Sequence, residues 1–192
     1  MATMLAPRRL AGAGFPRQGM RGIEYRAPEP CSLSQRQVFD LAEEVNRALA
    51  LDVGFDIGRV VGTLDGRLHT VTAYGIDDPD GSIFVHGVSD FDIYLPDDAG
   101  PRRNRFTVVH ELGHYFLHFR PQEGFGLVAA REGTGRVEWE AHWFARAFLM
   151  PEDAFVQVHQ DCQEVHMDIA DAFQVSLKAC EIRASDLGLR LR

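Results

Sequence analysis

The chain has 192 residues, 45% of them hydrophobic, and a formal net charge of −8 at pH 7. This size and composition are typical of a single globular domain with a real hydrophobic core. The acidic balance argues against non-specific nucleic-acid binding, which requires a basic surface.

The cysteines and the apolar pattern indicate a reducing compartment and no membrane anchor. Cys31, Cys162 and Cys180 are far apart and form no C-x-x-C pair, so we expect reduced thiols. The alternative is that Cys162 or Cys180 ligates a metal. No apolar run approaches the roughly 18 residues of a membrane span, and the N-terminus lacks the apolar core of a signal peptide. We therefore predict a cytoplasmic protein.

An irregular N-terminal arm and a helix are predicted first along the chain. Residues 1–33 are rich in Gly, Pro, Ala and Arg and show no sustained period. Ser34 and Gln37 then form a capping box, and apolar residues recur at helical spacing. We predict a helix over residues 34–51.

Residues 56–95 show short β-rich runs separated by turn signals. The strongest turn signals are Asp65-Gly66, typical of a hairpin, and the acidic run 77–81. The predicted strands are 60–64, 68–74, 83–86 and 91–95. They predict a small, mostly antiparallel sheet.

A central helix is predicted over residues 104–119, and it carries the motif His110-Glu111-Leu112-Gly113-His114. Residues four apart lie on one face of a helix, so both imidazoles can reach one metal ion. The flanking residues are apolar almost all round, which predicts a buried helix where unpartnered polar groups are costly. We predict a Zn²⁺ site with His110 and His114 as ligands and Glu111 as the general base.

The third ligand does not come from the same helix. His118 lies about 80° round the helix from His110 and two turns along, which is too far to share one ion. The metzincin pattern is absent because Leu117 and Arg120 stand where it needs Gly and His. A carboxylate from elsewhere must complete the site.

A second helix, predicted over residues 138–150, offers two glutamates. Glu138 shares its face with His142 and Arg146, which predicts a solvated charge ladder. Glu140 shares its face with apolar residues that should point inward. Because a ligand must face inward, we predict Glu140 as the third ligand.

The two motif segments together resemble the ImmA/IrrE metallopeptidases. Those proteins typically read R-F-T-x-A-H-E-L-G-H-x-x-L-H and E-A-N-x-F-A-x-x-L-L-M-P, and this chain reads RFTVVHELGHYFLH over 105–118 and EAHWFARAFLMP over 140–151. The resemblance covers about residues 34–188. It implies His110, His114 and Glu140 as zinc ligands and Glu111 as the base. His142 departs from the family, which usually has Asn there.

The elements predict an α+β fold in which a small, mostly antiparallel sheet packs on a helical core that carries the H-E-x-x-H helix. We expect an irregular arm over 1–33, a zincin-like metallopeptidase core over 34–151 and a helical segment over 152–192 packed on the core. The glycine-rich connection 122–136 is expected to border a substrate cleft, or else to be a surface loop.

The C-terminal segment resembles a helix-turn-helix, with Ser176 capping its second helix. Four acidic residues balance four basic ones between 167 and 192, so direct DNA binding is not favoured. A DNA-binding regulator is therefore the least favoured reading of the function.

The sequence predicts a zinc endopeptidase, and the resemblance implies its substrate, a helix-turn-helix transcriptional repressor of a mobile element or stress regulon. The alternative is a metal-containing anti-repressor that binds its partner without cutting it. Four residues could stabilise an oxyanion, and the sequence does not choose among them: Arg105, Tyr115, His118 and His142.

Overall fold

The structure is a computed structural model that describes residues 23–71, 82–130 and 135–192. The predicted turn at 77–81 lies outside these residues. The described helices are α1 (Gln35–Ala48), α2 (Ile57–Thr63), α3 (Pro101–His118), α4 (Arg136–Leu149), α5 (Glu152–Asp161), α6 (His166–Ala172) and α7 (Leu177–Asp186). The described strands are β1 (Tyr25–Arg26), β2 (Gly66–Val71), β3 (Ser82–Gly87), β4 (Asp90–Pro96) and β5 (Gly126–Ala130).

The described strands form one sheet in the order β1-β5-β3-β4-β2. β3 runs antiparallel to both of its neighbours, whereas the outer pairs β1–β5 and β4–β2 are parallel. The predicted α+β class is confirmed. The sheet is mixed, however, so the expectation of a mostly antiparallel sheet is wrong.

The first predicted strand, 60–64, is part of helix α2 instead. The Asp56 side chain caps this helix by accepting hydrogen bonds from Gly58 N and Arg59 N, at 2.8 and 3.2 Å. Val60 and Val61 are buried on its inner side. Asp65-Gly66 therefore follows the end of a helix, and β2 pairs in parallel with β4 rather than forming the predicted hairpin.

The helices at the site begin and end close to the predicted positions. The capping box at Ser34 is present and starts α1. α3 begins at Pro101, with Gly100 at the cap position instead of the predicted Asn104, because proline suits the first turn of a helix. It ends at His118, shortly before Pro121.

Helices α3 and α4 approach each other closely beside the H-E-x-x-H motif. A Cβ atom added at Gly113 would lie 3.0 Å from Ala141 Cα and 3.1 Å from Ala141 O. Only glycine allows this approach without displacement of the neighbouring backbone. The contact brings the first turns of α4 next to the motif histidines.

The inner face of the sheet and the apolar sides of α3 and α4 share one core. Ile83, Val85 and Phe91 from the sheet are fully buried in the same cluster as Leu112 of α3 and Phe144 of α4. The H-E-x-x-H helix is therefore buried, as predicted. No described helix is both long and apolar enough to cross a membrane.

The C-terminal helices pack on this core. The fully buried Arg183 of α7 donates to Met150 O at 2.8 Å and pairs with Glu43 of α1 at 2.6 Å. Ser176 caps α7, as predicted. Tyr25 and Arg26, which fall in the predicted irregular arm, form β1. The division of the chain at 33 and 151 stays a prediction.

Candidate metal centre

The two motif histidines lie on one buried face of α3. Both side chains are almost completely buried, and their Nε2 atoms are 3.2 Å apart. The four-residue spacing produces this arrangement, because positions i and i+4 lie above one another on a helix. His110 and His114 therefore direct one nitrogen each to a common position.

The third group at this position is Glu138, from the first turn of α4. Its carboxylate oxygens lie 3.1 Å from His110 Nε2 and 3.7 Å from His114 Nε2. The solvated ladder predicted for this face is wrong, because the Glu138 side chain is only 15% exposed. The same face continues with His142, which packs on His110, and with the buried Arg146.

Glu140, the predicted third ligand, faces away from the motif histidines' common position. Residues two apart on a helix are rotated by about 200°, so Glu138 and Glu140 cannot share a face. The buried Glu140 carboxylate accepts hydrogen bonds from His118 Nε2 (3.0 Å), Arg136 Nε (2.6 Å) and Cys31 N (2.9 Å). The structure thus brings Glu138, rather than Glu140, together with the motif. The apolar, inward face of α4 that carries Glu140 therefore contacts His118 rather than His110 and His114.

The three converging side chains fit a single cation. Ligands about 2.1 Å from a tetrahedral ion lie about 3.4 Å from one another. The two Nε2 atoms are 3.2 Å apart, Glu138 Oε2 lies 3.1 Å from His110 Nε2, and the other carboxylate oxygen, Oε1, lies 3.7 Å from His114 Nε2. Two imidazole nitrogens and one carboxylate oxygen are also a donor set that zinc uses in catalytic sites, with a fourth position kept for water. His110, His114 and Glu138 could therefore hold a zinc ion.

Each motif histidine is oriented through its second ring nitrogen. His110 Nδ1 lies 2.8 Å from His142 Nδ1, and His114 Nδ1 lies 3.0 Å from His118 Nδ1. Contacts of this kind fix the tautomer and the ring orientation of metal-binding histidines. His142 can accept a hydrogen bond from His110 Nδ1–H, as can the Asn that the ImmA/IrrE proteins usually have at this place.

Glu140 fixes the tautomer of His114 through His118. Burial alone would raise the pKa of Glu140, but the hydrogen bonds from Arg136, Cys31 and His118 outweigh it and the pKa lies below its usual value. An ionised carboxylate only accepts, so His118 Nε2 carries the hydrogen and His118 Nδ1 is an acceptor. His114 Nδ1–H therefore donates to His118, which leaves the lone pair of His114 Nε2 directed at the common position.

Burial keeps these imidazoles neutral. Burial, reinforced by the neighbouring His110 and His118, holds the pKa of His114 well below its usual value. Burial likewise lowers the pKa of His118, against the opposing effect of Glu140. A neutral imidazole is the form that ligates a metal, so the protein environment favours metal binding near neutral pH.

Glu111 and the candidate oxyanion donors have distinct environments. Glu111 is 1% exposed and follows His110 directly on α3.

The four candidate oxyanion donors have different contacts. His118 and His142 are placed against the motif histidines, and Arg105 donates to a backbone carbonyl next to α2. The Tyr115 hydroxyl accepts a hydrogen bond from the backbone N–H of the β3–β4 turn, at 3.2 Å. The choice of oxyanion donor stays open.

Replacing His142 tests whether it supports the metal site. We expect His142→Ala to weaken metal binding by about 10–100-fold, the usual cost of losing such a support. His142→Asn should bind nearly as tightly as the wild type, because the Asn oxygen can accept the same hydrogen bond. Competition with a chelating dye measures both affinities. Equal affinities for His142→Ala and the wild type would show that the contact is only packing.

Comparison with known proteins places these helices in a protein family. The Peptidase_M78 family model, described as an IrrE N-terminal-like domain, matches residues 77–185. The matched region is more than half of the chain and includes all of α3 and α4. No curated protein matches the chain significantly.

Proposed function

The chain belongs to the IrrE N-terminal-like Peptidase_M78 family, and on this basis we propose that it is a zinc-dependent endopeptidase that cleaves a helix-turn-helix transcriptional repressor. The observation that carries the proposal is the convergence of His110, His114 and Glu138, whose ligand atoms are separated by 3.1–3.7 Å. The family supports a metallopeptidase type of activity. The identity of the metal as zinc and of the substrate as a repressor are proposed in addition to the family assignment.

The proposed ligands are His110, His114 and Glu138. We propose Glu138 rather than Glu140, the ligand predicted from the sequence, because the Glu138 carboxylate contacts both His110 and His114. When bound, zinc would acidify a water molecule and polarise the carbonyl of the scissile peptide bond. Glu111 would accept a proton from the attacking water and later deliver it to the leaving amine. His118 and His142 would hold the ligand imidazoles in their working tautomers.

An exposed aromatic side chain beside the centre supports a macromolecular substrate. Trp139 lies between Glu138 and Glu140 in the first turn of α4 and is 58% exposed. Exposed aromatic residues are common anchors at protein–protein contacts. A polypeptide that contacts Trp139 would bind next to Glu138 along α4.

The repressor is proposed from the resemblance to the ImmA/IrrE proteins, and it would place the enzyme in the cytoplasm. The main alternative is an anti-repressor that binds without cutting. Glu111 supports the enzyme, because a purely binding metal site has no need for a carboxylate base next to a ligand. The balanced charge of the C-terminal helices supports a protein partner rather than DNA.

Incubation with the repressor encoded beside this protein tests the proposal. We expect discrete fragments with the zinc-loaded protein and none after chelation, with recovery when zinc is restored. Mass spectrometry of the fragments identifies the scissile bond. A stoichiometric complex without fragments would favour the anti-repressor, and the absence of both would contradict the proposed partner.

A further inference from the structure

A second group of side chains that could bind a metal lies next to the first, because His118 contacts His114. Cys31, His118 and Glu140 each direct one ligand atom to a common position, and the Cys31 Sγ, the His118 nitrogen and the Glu140 oxygen all lie within 4.8 Å of one another. His118 Nε2 and Glu140 Oε2 are 3.0 Å apart. We propose that these three residues form a second divalent metal site, distinct from the proposed catalytic one.

The donor set selects the metal. A thiolate, an imidazole and a carboxylate together suit zinc and its borderline-soft relatives, whereas magnesium and calcium require oxygen ligands. The protonated thiol would lose its hydrogen on binding, as metal-bound cysteines do. The site would then carry two negative charges, from Cys31 and Glu140, against the two positive charges of the ion.

The surrounding contacts would hold the ligands in place. Arg136 Nε and Cys31 N–H fix the Glu140 carboxylate, at 2.6 and 2.9 Å. His118 is held at its other nitrogen by His114, at 3.0 Å. Such supports are a usual feature of metal sites. The metal would take the place of the hydrogen that His118 now shares with Glu140.

A cavity borders this site at His118. It has a volume of about 210 Å³, borders His118 and is lined by the segment that leads to Cys31, including Glu29 and Pro30. A cavity of this size holds several water molecules. It would supply water on the His118 side of the ion.

The second site should bind its metal more weakly than the first. The Arg136 guanidinium, which pairs with Glu140, repels a cation. The contact between His114 and His118 also links the two ions, since the two Nδ1 atoms share one hydrogen. Binding at both Nε2 atoms would require one imidazole to give up its last hydrogen. The catalytic position should therefore fill first, and metal in excess should fill the second.

Cobalt titration of the reduced, metal-free full-length chain tests this inference. Co²⁺ substitutes for zinc, and a thiolate ligand adds an intense charge-transfer absorption. We expect two equivalents to bind, with the charge-transfer band growing only with the second. Cys31→Ser should lose one equivalent and the whole band. Cys162→Ser, which removes another partly buried thiol, should behave as the wild type.

The rate of Cys31 alkylation gives an independent measurement on the unmodified chain. The second equivalent of metal should slow alkylation of Cys31 but not of Cys162. A single equivalent with no charge-transfer band, or a band that persists in Cys31→Ser, would overturn the second site. Either result leaves the proposed peptidase untouched, because that activity requires only the first equivalent, which chelation and cleavage assays follow separately.

Discussion

Glu138→Gln should lose tightly bound zinc, whereas Glu140→Gln should keep it with reduced affinity. The first change removes the proposed anionic ligand, which lies 3.1 Å from His110 Nε2. The second removes a carboxylate that would act on the metal at the first site only through His118 and His114, although it is also a proposed ligand of the second site. Loss of such a support costs about 10–100-fold in affinity, so loss of Glu138 should cost more than about 100-fold.

The two variants are matched controls for each other. Both remove one negative charge from the same end of α4, and neither changes side-chain volume appreciably. Zinc content after dialysis and competition with a chelating dye give the affinities, and circular dichroism checks that both variants fold. If Glu140→Gln lost zinc and Glu138→Gln retained it, Glu140 would be the third ligand, as the sequence predicts, and Glu138 would not.

The choice between these glutamates is where the sequence and the structure favour different residues. Periodicity correctly found a helix with one apolar face and one polar face, and the rule that polar faces meet water then assigned Glu138 to solvent. In the structure that face packs on α3, where Glu138 and His142 both contact His110. Glu138 and His142, four residues apart, repeat the spacing of the motif histidines, and that was the available signal.

The elements with strong local signals were predictable. The capping box at Ser34, the proline at 121 and the Ser176 cap fixed helix ends, and β-rich runs bounded by turn signals predicted β3 and β4. One error arose because β-branched residues occur in buried helices and buried strands alike. Val60 and Val61 belong to α2, although Asp56 offered a capping signal. The short strand β5 was hidden within a glycine-rich connection.

The proximity of Cys31 to His118 of α3 and Glu140 of α4 could not be predicted from the sequence. Cys31 is 87 residues from His118 and 109 from Glu140. No local pattern encodes such contacts, which arise only when the segment before α1 packs across the ends of both site helices. The family resemblance did not supply them, because its motifs lie within α3 and α4.

Glu111→Gln should abolish proteolysis while zinc stays bound. A positioned general base contributes about 10²–10⁴-fold to the rate, and glutamine cannot accept the proton. Zinc should remain, because Glu111 lies about 100° round the helix from His110 and is not a proposed ligand. The measurement is kcat/KM for repressor cleavage by zinc-loaded protein, with metal content determined on the same sample.

Glu181→Gln is a suitable control for Glu111→Gln, because it removes an exposed carboxylate of α7 whose ion pair with Lys178 is at the surface. It should cleave at the wild-type rate. Retention of activity in zinc-loaded Glu111→Gln would contradict the mechanism. The same variant separates the enzyme from the anti-repressor, because release of a repressor by binding alone does not depend on a base. Glu111→Gln should therefore bind the repressor without cutting it, and a stable complex with uncut partner is the expected product.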